Sequence, residues 1–323
     1  METLKVLLSA YPFGTTGRKP LALLEATGWN LVPNPYRRRL KAGEVTSLLQ
    51  GLDAVIAGTE PYTAGTLAKA DRLKVIARVG IGLDNVDLKY CRQKGITVTY
   101  TPEAPSDGVA ELSVANIINL LRHIHASDRS VRELTWNRFM GRLVREVTIG
   151  IVGVGRIGSR VIRLLQPFQP RILANDIDPA VTQQEFPGVQ WVDRDRLLRE
   201  ADLISLHIPL NQANRHFLNR ERLRLMKTGA LVINTSRGPI IDEAALTDAL
   251  LQGHIGGAAL DVFEKEPYEG PLTRLDNVVL TAHIAASANA SRYLMELGAA
   301  DDCIRVLRGE SPAHPATPGS GEL

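Results

Sequence analysis

The sequence predicts an α/β chain of two domains, each a doubly wound sheet of parallel strands, with the second domain inserted into the first. Three observations carry this prediction. Short apolar runs alternate with helix-patterned segments almost throughout, as expected of parallel strands joined by crossover helices. The alternation pauses after Tyr100 at a long apolar helical pattern and resumes near Val147. After His283 the chain turns helical again, from about Ala288 to Arg308, and this last helix is expected to return to the first domain. The 323 residues suit two domains of ordinary size.

In the first stretch LKVLLSA, DAVIAG, LKVIARV and ITVTY read as strands, and residues 20–28, 42–50 and 85–94 as intervening helices. SDGVAELSVANIINLLRHIHA is apolar on nearly every face, which suggests a continuous helix buried between domains or subunits. The second stretch supplies six strand candidates: VTIGIVGV, RILAND, ADLISLHIP, ALVINTS, IGGAALDV and NVVLTAHI. The predicted division is residues 1–101 with 288–323 for the substrate domain and 102–287 for the inserted cofactor domain. SPAHPATPGSGEL, rich in Pro, Gly and Ser, is expected to be disordered.

Composition narrows the function classes. With 38 basic against 35 acidic side chains the net charge is +3, too small a bias to argue for nucleic acid or a membrane surface. The one charge run, Arg37 to Arg39, reads as a solvated loop. No segment reaches the roughly 18 apolar residues of a membrane span, and METLKVLLSAYPFG reads as a first strand rather than a signal peptide. Two cysteines, Cys91 and Cys303, fit neither a disulfide framework nor a zinc motif. A cytoplasmic chain with reduced thiols and no metal is expected.

Gly153, Gly155 and Gly158 form GxGxxG inside VTIGIVGVGRIGSRV. Alone this is a weak signal. Here it follows an apolar run and opens a helix pattern carrying Ile157, Val161, Ile162, Leu164 and Leu165, the context of a dinucleotide site. The first Gly permits the tight turn, the second admits a pyrophosphate, and the third lets helix and strand pack closely. The helix N-terminus offers free N–H groups to the phosphates. Asp176 ends the next strand, where an acid would bind ribose hydroxyls. No Lys or Arg lies between Asp176 and Asp193 to neutralise a 2′-phosphate, so NAD is favoured over NADP.

Three further segments sit at predicted strand ends, where open α/β sheets bind ligands: NTSRGPIIDE with Arg237, ALDVFEKEP with Glu266, and TAHIAAS with His283. Singly, each residue could be a structural salt bridge, a turn acid or a hydrogen-bonded histidine. Together a cation, an acid and an imidazole make a site for hydride transfer. Protonated His283 would donate to a carbonyl oxygen, and Glu266 would orient the ring and favour its charged form. Arg237, permanently charged and forked, would hold a carboxylate and polarise the adjacent carbonyl. The turn Arg78-Val79-Gly80-Ile81-Gly82 offers successive N–H groups as a nest for the same carboxylate, with Arg78 at its mouth.

With these motifs in order, the chain resembles the D-isomer-specific 2-hydroxyacid dehydrogenases, and within them the D-3-phosphoglycerate dehydrogenases. The resemblance spans about residues 3–308 and rests on ARVGIGLDNVD, the GxGxxG segment, HIPL, NTSRGPIIDE, AALDVFEKEP and AHIAAS. It implies two Rossmann-like domains, the cofactor domain inserted into a flavodoxin-like substrate domain. It implies Arg237, Glu266 and His283 as the catalytic trio. It further implies cofactor contacts at Arg156, Ile157, His207, Ile208, Pro209, Thr235, Ser236, Arg237, Asp261, His283 and Ala285. A homodimer is implied too, built on residues 107–123 and 136–141, with Arg138 reaching the neighbouring subunit's substrate.

The sequence departs from the family pattern in places. The histidine loop reads Ala282-His283-Ile284-Ala285 where relatives usually have Pro-His-x-Gly, which narrows the backbone at Ala285 and adds a methyl. After DAVIAG, where phosphoglycerate-using relatives commonly place Arg, stand Gly58 and Glu60. Only about 15 residues follow the last helix, too few for a regulatory domain. The expected substrate is a small D-2-hydroxy or 2-keto acid; Arg78 and Arg138 favour a second anionic group on it, and Glu60 opposes one. Oxidation or reduction of phosphite or a phosphonate stays open as an alternative, as does an NAD(H)-sensing, corepressor-like binding protein. Formate is disfavoured, because formate enzymes have Gln where Glu266 stands.

Overall fold

The computed structural model describes residues 3–183 and 186–317. The chain divides into two compact units. One comprises the chain up to Pro105 together with the chain from Ser287 onward, and the other Ser106–Ala286.

The first unit holds strands β1 (Lys5–Leu8), β2 (Asn30–Pro33), β3 (Ala54–Ala57), β4 (Val75–Arg78) and β5 (Thr97–Thr99). They form one parallel sheet in the order β2-β1-β3-β4-β5, the flavodoxin-like arrangement. Val6 pairs with Ala54 and Ile56 with Ala77, so the apolar runs lie side by side. AVIA of β3 is buried along its whole length, as a strand covered on both faces must be. The final helix, Asn289–Leu307, packs on β3, β4, β5 and the helix Lys19–Glu25.

The second unit holds β6 (Thr148–Val152), β7 (Arg171–Asn175), β8 (Val189–Trp191), β9 (Leu203–Leu206), β10 (Ala230–Asn234), β11 (Ile255–Leu260) and β12 (Val278–Leu280). Its parallel sheet runs β12-β11-β10-β9-β6-β7-β8. The order reverses between β6 and β9, where Ile149 pairs with Leu203, and this reversal marks the ligand crevice of a Rossmann-type sheet. The core on one side of the sheet includes Ile204, Leu206, Val232 and Leu260, and on the other Ile149, Ile151, Leu203 and Ile233.

Four sequence expectations are corrected. Two strands are added, β2 and β8, both at sheet edges. NLVP carries a proline and VQW is three residues long, so neither shows the apolar run of an interior strand. The long helix is two: Ser106–Arg122 and Ile124–Arg132, divided at His123, which takes a left-handed conformation with φ 53°. The first of these is also one-sided. Val109, Ala110, Ser113, Ile117, Leu120 and Leu121 are buried at helical spacing, against the helix Arg156–Leu165 and strands β10 and β11. Finally, residues 311–317 of the tail are ordered. Tyr100 N–H donates to His314 O at 3.2 Å and Ala316 N–H to Val98 O at 2.8 Å, pairing the tail along the edge strand β5. Asp302, buried in the last helix, accepts from Ala313 N–H. The rest of that expectation, residues 318–323, lies outside the described residues.

Candidate active and cofactor site

The glycine-rich loop follows β6 at the point where the strand order reverses. Gly153 has φ 86°, and a Cβ there would stand 2.6 Å from the carbonyl oxygen of His207, at the end of β9. A Cβ on Gly158 would run into the Gly153 carbonyl, which fixes the helix Arg156–Leu165 against the loop. A Cβ on Gly155 would meet nothing within 4 Å. The three glycines thus divide as a dinucleotide loop requires: turn, open cradle, close packing.

Asp176, one residue beyond β7, reaches back to this loop. Its Oδ2 accepts from Val154 N–H at 2.7 Å and its Oδ1 from Asp178 N–H at 2.9 Å. Each oxygen keeps a second lone pair for a ribose hydroxyl. Arg156 is exposed at the helix start and Ile157 half-buried beside it. His207 follows β9. Its Nε2 lies 2.9 Å from Ser205 Oγ and its Nδ1 is buried. Burial pushes its pKa down to about 4, which leaves the ring neutral. Ile208 and Pro209 beside it are half-buried, and Ile208 Cγ2 would stand 2.9 Å from a Cβ on Gly153.

At the end of β10 the turn bearing Arg237 is fastened by Asn234, which sequence reading passed over. The Asn234 amide donates to Arg237 O at 2.8 Å and accepts from Ser236 N–H at 3.0 Å and Ser236 Oγ at 2.7 Å. Thr235 is buried, its hydroxyl 2.9 Å from that of Ser113. Gly238 has no room for a side chain, because a Cβ would collide with the Phe263 carbonyl. This contact sets the Arg237 turn against the segment that carries Glu266.

Glu266 and His283 meet directly. Glu266 Oε2 lies 2.9 Å from His283 Nδ1, and Oε1 accepts from Phe263 N–H at 3.2 Å. Burial pushes the Glu266 carboxyl up. The hydrogen bond and charge of His283, with a contribution from Arg237, outweigh it and hold the group below its ordinary value. Behind this pair Glu243 accepts from Glu264 N–H, and the Glu264 carboxylate lies 3.0 Å from His216 Nε2. Burial raises Glu243, and the charges of Glu264 and Glu266 push it the same way.

Asp261 holds the histidine loop. Its fully buried carboxylate accepts from Thr281 Oγ1 at 2.6 Å, Ile284 N–H at 2.8 Å and Ala285 N–H at 2.8 Å. The loop's left-handed residue is His283, with φ 52°. Ala285 is absent from the positive-φ residues and is buried, so alanine is accommodated there without the strain its replacement of glycine suggested.

In the first unit Arg78 departs from its expected place. It is 4% exposed rather than standing at the mouth of a nest. Its Nη1 donates to the carbonyls of Gly58 and Ala57, and its Nε and Nη2 donate to Gly82 O at 3.1 and 2.9 Å. Val79 N–H is taken by Ala57 O at 2.9 Å and Gly80 N–H by Thr101 Oγ1 at 2.9 Å. Ile81 and Gly82, half-buried, are the remaining nest donors. Arg138 lies on an exposed stretch with Leu134, Trp136 and Met140.

The family model for the D-isomer specific 2-hydroxyacid dehydrogenase NAD binding domain matches residues 114–285. The chain belongs to the D-isomer-specific 2-hydroxyacid dehydrogenases. It is similar to a glyoxylate reductase of Thermofilum pendens, 40% identical over 263 residues that cover 79% of this chain and 78% of that protein. It is also similar to a D-3-phosphoglycerate dehydrogenase of Methanocaldococcus jannaschii, 38% identical over 83% of this chain and 52% of that protein. Among solved structures, D-lactate dehydrogenase of Aquifex aeolicus, complexed with NAD and lactic acid, superposes with a TM-score of 0.83 at 28% identity. That match covers 95% of this chain and 96% of that one.

The dehydrogenase is accordingly an NAD-dependent oxidoreductase acting on 2-hydroxy acids. The residues present fit the cofactor. Gly155 leaves a cradle at a helix N-terminus, and Asp176 presents two oxygens at the end of the next strand. Among the described residues no helix is long and apolar enough to cross a membrane.

Proposed function

We propose that the dehydrogenase reduces a short 2-keto acid to its D-2-hydroxy acid, with His283 as proton donor, Glu266 as the partner of its imidazole and Arg237 as the carboxylate clamp. The observation that carries this is the 2.9 Å contact between Glu266 Oε2 and His283 Nδ1. That contact engages one ring nitrogen and leaves Nε2 to face the substrate oxygen. When bound, the nicotinamide cofactor would supply the hydride. As charge develops on the carbonyl oxygen, His283 passes it a proton, and the Glu266 carboxylate stabilises the imidazolium before transfer. Arg237 holds the carboxylate next to that carbonyl. In the first unit, taken by itself, the N–H groups of Ile81 and Gly82 form a nest suited to a carboxylate.

Asp176, with no Lys or Arg from 177 to 192, supports preference for NAD over NADP. The exposed apolar side chains of residues 131–143 support a homodimer. Both cysteines are free, which agrees with a cytoplasmic location. Turnover of glyoxylate, pyruvate and hydroxypyruvate with NADH tests the reaction. The change His283→Ala is expected to lower kcat by about two to four powers of ten. Near wild-type turnover in that variant would remove the assigned role.

A further inference from the structure

We propose that Glu60 is a specificity-determining residue: by offsetting the charge of Arg78 beneath the carboxylate nest, it makes the enzyme select 2-keto acids whose tail is uncharged. This rests on the reading that the N–H groups of Ile81 and Gly82 form a nest for a substrate carboxylate. It settles against the second substrate anion that Arg78 suggested in the sequence.

The observation is a pair of buried ionisable side chains that bracket one peptide. Glu60 is 1% exposed and Arg78 4%. The Glu60 carboxylate takes the N–H of Gly58 at 2.9 Å, and the Arg78 guanidinium takes the C=O of the same residue. Glu60 Oε1 also accepts from the hydroxyls of Ser9 and of Tyr62, the latter at 2.9 Å. Burial keeps the Tyr62 phenol well above its ordinary value, and the Glu60 charge acts in the same sense, so Tyr62 remains a donor. These contacts converge on Oε1 and hold the side chain in place. The pair closes tightly on this peptide: a Cβ on Gly58 would stand 2.6 Å from Glu60 Oε2.

These groups occupy the C-terminal ends of β1, β3 and β4, the edge where an open parallel sheet receives its ligand. Arg78 lies directly under the nest: a Cβ on Gly80 would be 3.4 Å from its Nη2. One carboxylate on Ile81 and Gly82 therefore has one cation behind it, and Glu60 offsets that cation for anything placed farther out. A second anion near Gly58 meets a buried negative charge that water screens poorly. Arg39, which donates to Thr59 O at 2.8 Å, is solvent-exposed, so its charge is screened.

The test uses two acids that differ only in a phosphate, hydroxypyruvate and 3-phosphohydroxypyruvate, with NADH and the whole enzyme. Wild type is expected to show kcat/KM at least about tenfold higher for the unphosphorylated acid, and Glu60→Gln to narrow that gap by about tenfold. The glutamine oxygen still accepts hydrogen bonds, so charge is what changes. Tyr62→Phe removes one donor but keeps the charge, and should leave the gap as it was. A wild-type ratio near one, or equal narrowing in Glu60→Gln and Tyr62→Phe, overturns the proposal. If Glu60→Gln does not fold, the wild-type ratio and Arg39→Ala decide. Relative activity on the phosphate that falls in Arg39→Ala shows a working second cation, and overturns it. A wild-type enzyme inactive on both acids overturns the reduction reading as well; a ratio near one with good turnover overturns this proposal alone.

Discussion

Asp261 and His283 are joined through the backbone as well as the loop: His283 N–H donates to Asp261 O at 2.9 Å, while the Asp261 carboxylate takes the N–H groups of the next two residues, Ile284 and Ala285. One buried acid at the end of β11 thus fixes the left-handed turn that aims the imidazole at the end of β12. His283 can keep φ 52° because its surroundings over-determine it.

Asp261→Ala removes three hydrogen bonds at once and leaves buried donors without acceptors. Unfolding free energy is expected to fall by about 3 kcal/mol, and kcat to fall with it as the ring loses its aim. Denaturant melts and steady-state kinetics on the same preparation check both. Unchanged stability would refute the clamp.

The Glu266–His283 contact sets a pH dependence. Glu266 is held below its ordinary value of 4.5, so the folded protein binds this proton less readily than the unfolded chain. The stabilisation it contributes is complete above pH 4.5 and is lost as pH falls below that value through the folded pKa. Glu266→Gln is expected to lose this acid-limb stabilisation and to lower kcat by at least about tenfold, because the charge that stabilises the imidazolium before transfer is gone. Unchanged acid-limb stability and unchanged turnover would separate Glu266 from this role.

Asp176 ties the adenosine end of the cofactor site to the glycine loop through Val154. Wild type is expected to use NAD at least about tenfold more efficiently than NADP, and Asp176→Ala to lose most of that preference. Its absolute rate with NAD should also fall, because Val154 N–H loses its acceptor. Equal efficiency with both cofactors in wild type would refute the assignment.

The stretch after the helix Ile124–Arg132 exposes Leu134 at 94%, Trp136 at 78% and Met140 at 90%. Three large apolar side chains so bare on one short segment are expected to be covered by a second copy across a two-fold axis. Sedimentation should find a dimer at micromolar concentration, and Trp136→Ala with Leu134→Asp should shift it to monomer. A monomeric wild type would end this expectation.

What the sequence determined by itself is whatever depends on neighbours in the chain. A buried parallel strand must be apolar along its length, so most strands of both sheets could be read directly. A dinucleotide turn must place its glycines at fixed offsets before a helix, so the loop at 153–158 and Asp176 after the next strand were legible. The strand-end positions of Arg237, Glu266 and His283 followed from the same alternation.

Tertiary structure alone decided how polar side chains are used, because their partners come from distant segments. Nothing local to Arg78 says that its guanidinium turns inward to the carbonyl of Gly58, twenty residues earlier. Nothing local to Asp261 says that it clamps a loop more than twenty residues later. Nothing local to His207 says that its ring turns to Ser205 Oγ and stays neutral. The edge strands β2 and β8 and the docked residues 311–317 were hidden for a related reason: each is held by main-chain hydrogen bonds to an existing strand, and backbone pairing leaves little trace in the pattern of side chains.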